Sequence, residues 1–132
     1  MIGTAPTIVI ADDTEQLLKM ISGIVERFMV EKGTVATIVR AKDGLEALAA
    51  IEEHKPAFVV TDYQMPGQNG AEVVRKARTD LNYAGGIIMV TSAVQDAKDE
   101  LGEHHESTDV LGKPFHNRSL RDLLEKHYQK HL

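Results

Sequence analysis

Short apolar runs alternate five times along the chain with longer stretches whose apolar residues recur at helical spacing. The predicted strands are Thr7–Ala11, Val35–Arg40, Ala57–Thr61, Gly86–Val90 and Thr108–Leu111. The predicted helices cover about residues 14–32, 44–54, 69–80, 94–101 and 117–130. This repeated strand–helix order predicts an α/β domain built on a parallel sheet.

The polarity of the runs indicates where each strand lies in the sheet. The first, third and fourth runs are apolar throughout, as expected of strands covered by helices on both faces. Thr37 and Arg40 interrupt the second run and Asp109 interrupts the fifth, so these two strands are predicted at the edges. With right-handed crossovers, this favours a doubly wound (βα)5 domain of flavodoxin-like type, with strand order 2-1-3-4-5.

Length and composition restrict the class of protein further. The 132 residues suit one domain, with a core over about residues 6–130, and no linker or output domain is expected. The absence of Cys excludes disulfides and Cys-ligated zinc, and agrees with a reducing, cytoplasmic setting. The net charge of −5, with scattered basic residues, argues against direct nucleic-acid binding. Neither a signal peptide nor a membrane-spanning run is evident in the sequence, so no membrane contact is expected.

Polar side chains follow four of the predicted strands. Asp12 and Asp13 come after the first strand, Asp62 after the third, Thr91 after the fourth and Lys113 after the fifth. The carboxyl ends of parallel strands share one edge of the sheet, where open α/β folds place their ligand sites. Three carboxylates there would repel one another unless cations lie between them. Lys113 offsets one charge, and oxygen ligands favour Mg²⁺, or Mn²⁺ in its place, for the others.

Several of these residues also have purely structural interpretations. The pairs Asp13 with Gln16 and Ser92 with Gln95 each also fit the pattern of a helix N-terminal cap. The same arrangement recurs at Asp43 with Glu46 and at Asn69 with Glu72, with no suggestion of chemistry in the first of these. The two histidines His127 and His131, one helical turn apart, are predicted to be exposed polar residues.

The segment after Asp62 carries a turn signal. Pro66 and Gly67 provide the fixed φ and the positive φ that a type II turn requires at its two central positions. A backbone carbonyl of this segment is therefore a candidate metal ligand. The Lys113–Pro114 bond is cis or trans, and the sequence leaves that open.

Taken together, the motifs resemble those of the receiver domain of two-component response regulators, over about residues 6–130. The resemblance rests on the order and placement of five motifs: Asp12–Asp13, Asp62, Met65-Pro66-Gly67 with Gly70, Thr91–Ser92 and Lys113-Pro114-Phe115.

The resemblance implies a role for each site residue. Asp62 is the expected phosphoacceptor, Thr91 is expected to bond a phosphoryl oxygen, and Lys113 is expected to pair with the phosphoryl group. The implied Mg²⁺ ligands are Asp13, Asp62 and the backbone carbonyl of Gln64, with Asp12 acting through water. The implied donor is a histidine kinase or a histidine phosphotransfer protein. The domain is not expected to be an enzyme beyond catalysing its own phosphorylation and dephosphorylation.

One departure from the family concerns readout. Three residues before the lysine the family often has an aromatic residue that reports phosphorylation, and here that position is Val110. The fourth predicted helix also has little apolar stripe. We therefore expect the conformational change that follows phosphorylation to pass through residues 92–96 and the fourth helix. The expected contact face for a downstream protein comprises the fourth helix, fifth strand and fifth helix.

Two other functions fit the sequence less well. A Mg²⁺-dependent phosphatase of haloacid-dehalogenase type normally has a second Asp two residues after its nucleophile, where this chain has Gln64. A flavodoxin-like binding module would need donors and positive potential after the first strand, where residues 12–15 are acidic.

Overall fold

A computed structural model describes residues 5–132. The strands are β1 Thr7–Ala11, β2 Thr37–Ala41, β3 Phe58–Asp62, β4 Gly86–Thr91 and β5 Asp109–Gly112. The helices are α1 Glu15–Glu31, α2 Gly44–His54, α3 Gly70–Thr79, α4 Val94–Leu101 and α5 Asn117–His131, and a 3₁₀ turn, Gly102–Ser107, follows α4. All ten predicted elements are present, in the predicted order.

The five strands form one parallel sheet of order β2-β1-β3-β4-β5. The flavodoxin-like fold and its strand order are therefore confirmed, with the interrupted strands β2 and β5 at the edges. Ala11 aligns with Ala41 and Thr61, and Asp62 aligns with Val90. This register brings the carboxyl ends of the three central strands to one level.

Two apolar layers cover the sheet, one on each face. Ile8, Ile10 and Val60 pack under α1 and α5, whereas Val9 and Val59 pack under α2, α3 and α4. Successive side chains of a strand point to opposite faces, so a strand buried on both faces must be apolar at every position. This is why the central runs lack the alternation of half-exposed strands.

The start of β2 differs from the prediction. The strand begins at Thr37 rather than Val35, because its first pairing is with Thr7 of β1. Val35 is 80% exposed and lies in the connection from α1. A β-branched residue alone does not fix a strand end, since the register with the neighbouring strand decides it.

The predicted helix caps are confirmed at two sites and wrong at two. Asp43 caps α2 by accepting the Glu46 N–H at 2.8 Å, and Asn69 forms a capping box with Glu72 at the start of α3. The N-terminal caps of α1 and α4 are Thr14 and Ala93, and neither makes a side-chain capping bond. Capping therefore does not account for Asp13 or Ser92.

The prediction that His127 is exposed is wrong. Its side chain is buried between α5 and the amino ends of β4 and β5, where Nε2 lies 2.7 Å from Asp109 Oδ2 and the ring stacks on His131. Nδ1 has no hydrogen-bond partner within residues 5–132 and faces Gly86. The neutral tautomer with its proton on Nε2 fits these contacts, because a proton on Nδ1 would be buried without an acceptor.

The buried His127 predicts a pH dependence of stability. Burial lowers the pKa of His127 in the folded protein, although its hydrogen bond to the Asp109 carboxylate opposes that shift. The unfolded chain therefore binds more protons than the folded chain as pH falls below about 6.5. We expect stability to fall between about pH 7.5 and 5, and His127→Gln, which keeps a donor but cannot titrate, to reduce that loss by on the order of 1 kcal/mol. Denaturant unfolding at both pH values measures the difference; equal losses in both proteins would contradict the prediction.

Candidate functional site

The ends of the central strands gather the predicted polar residues at one edge of the sheet. Asp62 and Thr91 are the last residues of β3 and β4, and Asp12 directly follows β1. The main chain continues the ladder beyond the strands: the Asp12 N–H donates to the Ala41 carbonyl at 3.0 Å, and the Lys113 N–H donates to the Thr91 carbonyl at 2.8 Å. The backbone pairing therefore fixes the positions of the Cα atoms that carry these side chains.

Three carboxylates form the centre of the site. Asp12, Asp13 and Asp62 each place one oxygen within 4.8 Å of the others. Asp12 and Asp62 are buried, whereas Asp13 is exposed at the mouth of the cluster. The structure thus brings together the three acidic residues that the sequence placed at the ends of two different strands.

Asp12 is the most deeply buried member of the cluster, with no exposed surface. Oδ1 accepts the Thr14 N–H at 2.9 Å, while Oδ2 has no hydrogen-bond partner within residues 5–132 and lies 3.8 Å from Lys113 Nζ. Burial raises the pKa of Asp12, and the charge of Asp62 raises it further, although the Thr14 bond opposes both. A buried carboxylate oxygen without a donor, among other carboxylates, fits a cation site.

Asp62 is held in a fixed orientation. Its Oδ1 accepts the N–H of Tyr63 at 2.8 Å and lies 3.4 Å from Lys113 Nζ. Burial raises the pKa of Asp62, and the charge and hydrogen bond of Lys113 oppose that rise. The lysine thus favours the ionised carboxylate, which is the form that acts as a nucleophile.

The connection from β3 to α3 is closed tightly. Gly67 has φ 76°, as the predicted type II turn requires, and the Gly70 N–H donates to the Tyr63 carbonyl at 2.7 Å. A Cβ on Gly70 would lie 2.3 Å from the Asp62 carbonyl oxygen, so only glycine allows α3 to begin this close to β3. Gln64 lies in this loop and, with Asp13, lines an open cleft of about 540 Å³.

Thr91 and Lys113 complete the polar edge. The Thr91 hydroxyl oxygen accepts the Ala93 N–H at 2.9 Å, and its own proton has no acceptor within the part of the chain that the structure describes. A hydroxyl has one proton to donate, so Thr91 retains a donor for an incoming oxygen. Lys113 precedes a cis peptide bond to Pro114.

A second group of polar residues beside the site was not predicted. The Tyr63 hydroxyl donates to Glu100 Oε1 at 2.6 Å, and Asn69 Nδ2 donates to Glu100 Oε2 at 2.8 Å. Tyr63 is detectable in the sequence as the neighbour of Asp62. Glu100 carries no such signal, because it lies 37 positions away from Tyr63 and only the packing of α4 against α3 brings them together.

A lysine and three aspartates at the carboxyl edge of a flavodoxin-like sheet define a receiver-type domain. The chain belongs to the response regulator receiver domain family, whose sequence profile matches residues 8–125. Receiver domains of this family are phosphorylated by histidine kinases and act on downstream partners.

Individual relatives agree with this assignment. The chain is 30% identical over 119 residues to an uncharacterized response regulatory protein of Staphylococcus epidermidis, covering 89% of this chain and 45% of that protein. It is 36% identical over 89 residues to the transcriptional regulatory protein HptR of Staphylococcus aureus, covering 67% of this chain and 34% of that protein. The chain therefore spans less than half the length of these relatives.

Solved structures share this fold. The chemotaxis protein CheY4 of Vibrio cholerae superposes with a TM-score of 0.74 at 25% identity, over 94% of this chain and 99% of that one. A sensor protein from Polaromonas sp. JS666 shares the fold with a TM-score of 0.80 at 18% identity, over 98% of this chain and 100% of that one.

Within residues 5–132, the helices are too short or too polar to cross a bilayer.

Proposed function

We propose that Asp62 accepts a phosphoryl group from the phosphohistidine of a histidine kinase or a histidine phosphotransfer protein. The observation that carries this proposal is the buried Asp62 carboxylate, oriented by Lys113 and the Tyr63 N–H and placed beside two further carboxylates. A structural salt bridge would need only Lys113 and one carboxylate. It would not need three carboxylates and an oxygen of Asp12 without a donor.

The reaction follows from these contacts. A carboxylate oxygen of Asp62 attacks phosphorus, the phosphorus–nitrogen bond breaks, and its electron pair stays on the donor imidazole. The product is an acyl phosphate on Asp62. Both reactants are anionic, so charge must be offset for them to approach, and Lys113 provides one positive charge at this point. The Thr91 hydroxyl donates to a phosphoryl oxygen.

The residues present fit a divalent cation. Asp13, Asp62 and the Gln64 carbonyl would hold Mg²⁺ directly and Asp12 would hold it through water, with Mn²⁺ able to substitute. When bound, the ion supplies positive charge against the phosphoryl oxygens and lowers repulsion among the carboxylates.

The acyl phosphate is also open to attack by water, because the cleft beside Asp13 and Gln64 is open to solvent. Hydrolysis returns Asp62 to a carboxylate, so the modification is a timed switch rather than turnover of an external substrate. The proposed output face for a downstream protein comprises α4, β5 and α5.

The experiment that tests this function is phosphorylation of the wild-type chain with a small acyl phosphate donor. Acetyl phosphate with Mg²⁺ is expected to add one phosphoryl group, observed by intact mass, which hydroxylamine removes and EDTA prevents. Continuous release of inorganic phosphate from many phosphomonoesters, without a stable adduct, would instead support the phosphatase. No adduct and no turnover would contradict both.

A further inference from the structure

The loop that joins β3 to α3 is attached to α4 through a single carboxylate. Glu100 of α4 accepts from the Tyr63 hydroxyl at one oxygen and from the Asn69 amide at the other. Tyr63 is the first residue of the loop, and Asn69 is the last residue before α3. We name Tyr63, Asn69 and Glu100 the loop clasp. Its two donors bracket Gln64, so the clasp holds both ends of the segment that carries the expected metal carbonyl.

The charge states of the clasp make its bonds strong. The hydrogen bonds from Tyr63 and Asn69 lower the pKa of Glu100, and the bond to Glu100 raises the pKa of Tyr63 to about 12. At neutral pH a neutral phenol and a neutral amide thus donate to an ionised carboxylate. Such charge-assisted bonds are shorter and stronger than those between neutral groups.

The clasp is also the main polar attachment of α4. This helix buries only Ala97 and Leu101, and its amino end has no side-chain cap. A helix with so small an apolar contact depends more than its neighbours on polar bonds to hold its position. Glu100 therefore fixes α4 relative to the loop after Asp62, whereas the rest of α4 is weakly held.

Tyr63 contacts both ends of this connection. Its main-chain N–H donates to Asp62 Oδ1, and its side chain donates to Glu100. Phosphorylation of Asp62 changes the charge on the carboxylate that accepts the N–H, so the backbone of Tyr63 must readjust. Because the two bonds belong to one residue, that readjustment reaches α4 without an aromatic at position 110.

We propose that Tyr63 and Glu100 are positioning residues that couple α4 to the phosphoryl and metal site through the loop clasp. The inference rests on the proposed function of Asp62 and specifies its regulation. Coupling is reciprocal, so a partner that displaces α4 must change metal affinity at the site by the same factor that metal changes affinity for that partner.

Two substitutions open the clasp without removing a site residue. Tyr63→Phe keeps the buried ring and loses only the hydroxyl. Glu100→Gln keeps the side-chain length but replaces one acceptor oxygen by an NH2 group, which donates and cannot accept, so only one of the two donors keeps its acceptor. The matched controls are Tyr128→Phe and Glu103→Gln. The Tyr128 hydroxyl joins α5 to the connection after α1, where it lies 2.6 Å from Thr34 Oγ1, and Glu103 is an exposed acid just after α4.

The readouts are Mg²⁺ affinity by calorimetry and amide chemical shifts with and without Mg²⁺ and beryllofluoride. In the wild type we expect shifts both near Asp62 and in residues 94–101. In Tyr63→Phe and Glu100→Gln the Kd for Mg²⁺ should rise about fivefold. The chemical-shift changes in α4 should fall to less than about half of their wild-type size, while the changes near Asp62 persist. The double variant should lose no more Mg²⁺ affinity than the more strongly affected single variant, because both substitutions open the same clasp.

Other outcomes would overturn the coupling. If both variants show the same α4 chemical-shift changes as the wild type and the same Kd for Mg²⁺, the clasp is only structural. Equal losses in Tyr128→Phe would show a general effect of destabilisation rather than a connection to the site. If wild-type Asp62 binds neither beryllofluoride nor a phosphoryl group, the proposed function fails, and the coupling fails with it.

Discussion

Asp62→Asn is expected to abolish phosphorylation by acetyl phosphate and Mg²⁺, with the rate of adduct formation falling at least roughly 100-fold, or about 2.7 kcal/mol of barrier. An amide oxygen is a far poorer nucleophile than a carboxylate, and the substitution removes the nearer of the two carboxylates beside Lys113 Nζ. Intact-mass analysis over time measures the adduct.

The substitution itself should not unfold the protein. Burial raises the pKa of Asp62, so its ionised form is destabilised in the folded chain above that pKa, and a neutral amide relieves the penalty. The melting temperature of Asp62→Asn without metal is therefore expected to equal or exceed that of the wild type. Asp122→Asn, at an exposed position of α5, is the matched control and should be phosphorylated normally. A full adduct on the Asp62→Asn protein would place the acceptor elsewhere.

Mg²⁺ is expected to stabilise the wild-type chain against heat. At about ten times its Kd the ion contributes about 1.4 kcal/mol, which corresponds to roughly 5 °C in melting temperature for a domain of this size. The physical reason is the cluster of Asp12, Asp13 and Asp62, whose mutual repulsion is relieved when a cation binds only the folded state.

Asp13→Ala should remove most of this response, because the exposed carboxylate at the mouth of the cluster is a proposed direct ligand. The same substitution removes one of the charges that raise the pKa of Asp12, so the metal-free variant should be no less stable than the wild type. Differential scanning calorimetry across a Mg²⁺ titration, with NaCl at matched ionic strength as control, measures both effects. A wild-type melting curve that does not move with Mg²⁺ would rule out the metal site.

The experiments separate chemistry from coupling. Asp62→Asn and Asp13→Ala act on the acceptor and on the cation, whereas Tyr63→Phe and Glu100→Gln leave both in place. If the first pair behaves as expected and the second pair does not, the receiver chemistry stands and the route to α4 must be sought elsewhere, with Thr91 the next candidate.

The sequence by itself determined the strand–helix order, the strand order of the sheet and the residues of the acidic edge. These follow from local rules: a strand covered on both faces must be apolar throughout, and polar residues directly after such strands meet at one edge when the strands are parallel. Asp12, Asp62 and Lys113 could be placed together for that reason alone. Their roles in phosphoryl transfer stay predictions from the family resemblance.

Only the tertiary structure decided features that depend on contacts between distant segments. The start of β2 is set by pairing with Thr7, and the burial of His127 is set by Asp109 on a neighbouring element. The loop clasp depends on where α4 packs, and nothing near Glu100 in the sequence specifies Tyr63 or Asn69 as its partners. Periodicity reports which face of an element is apolar, but hydrogen bonds between side chains on different elements form only when packing fixes their distance and orientation.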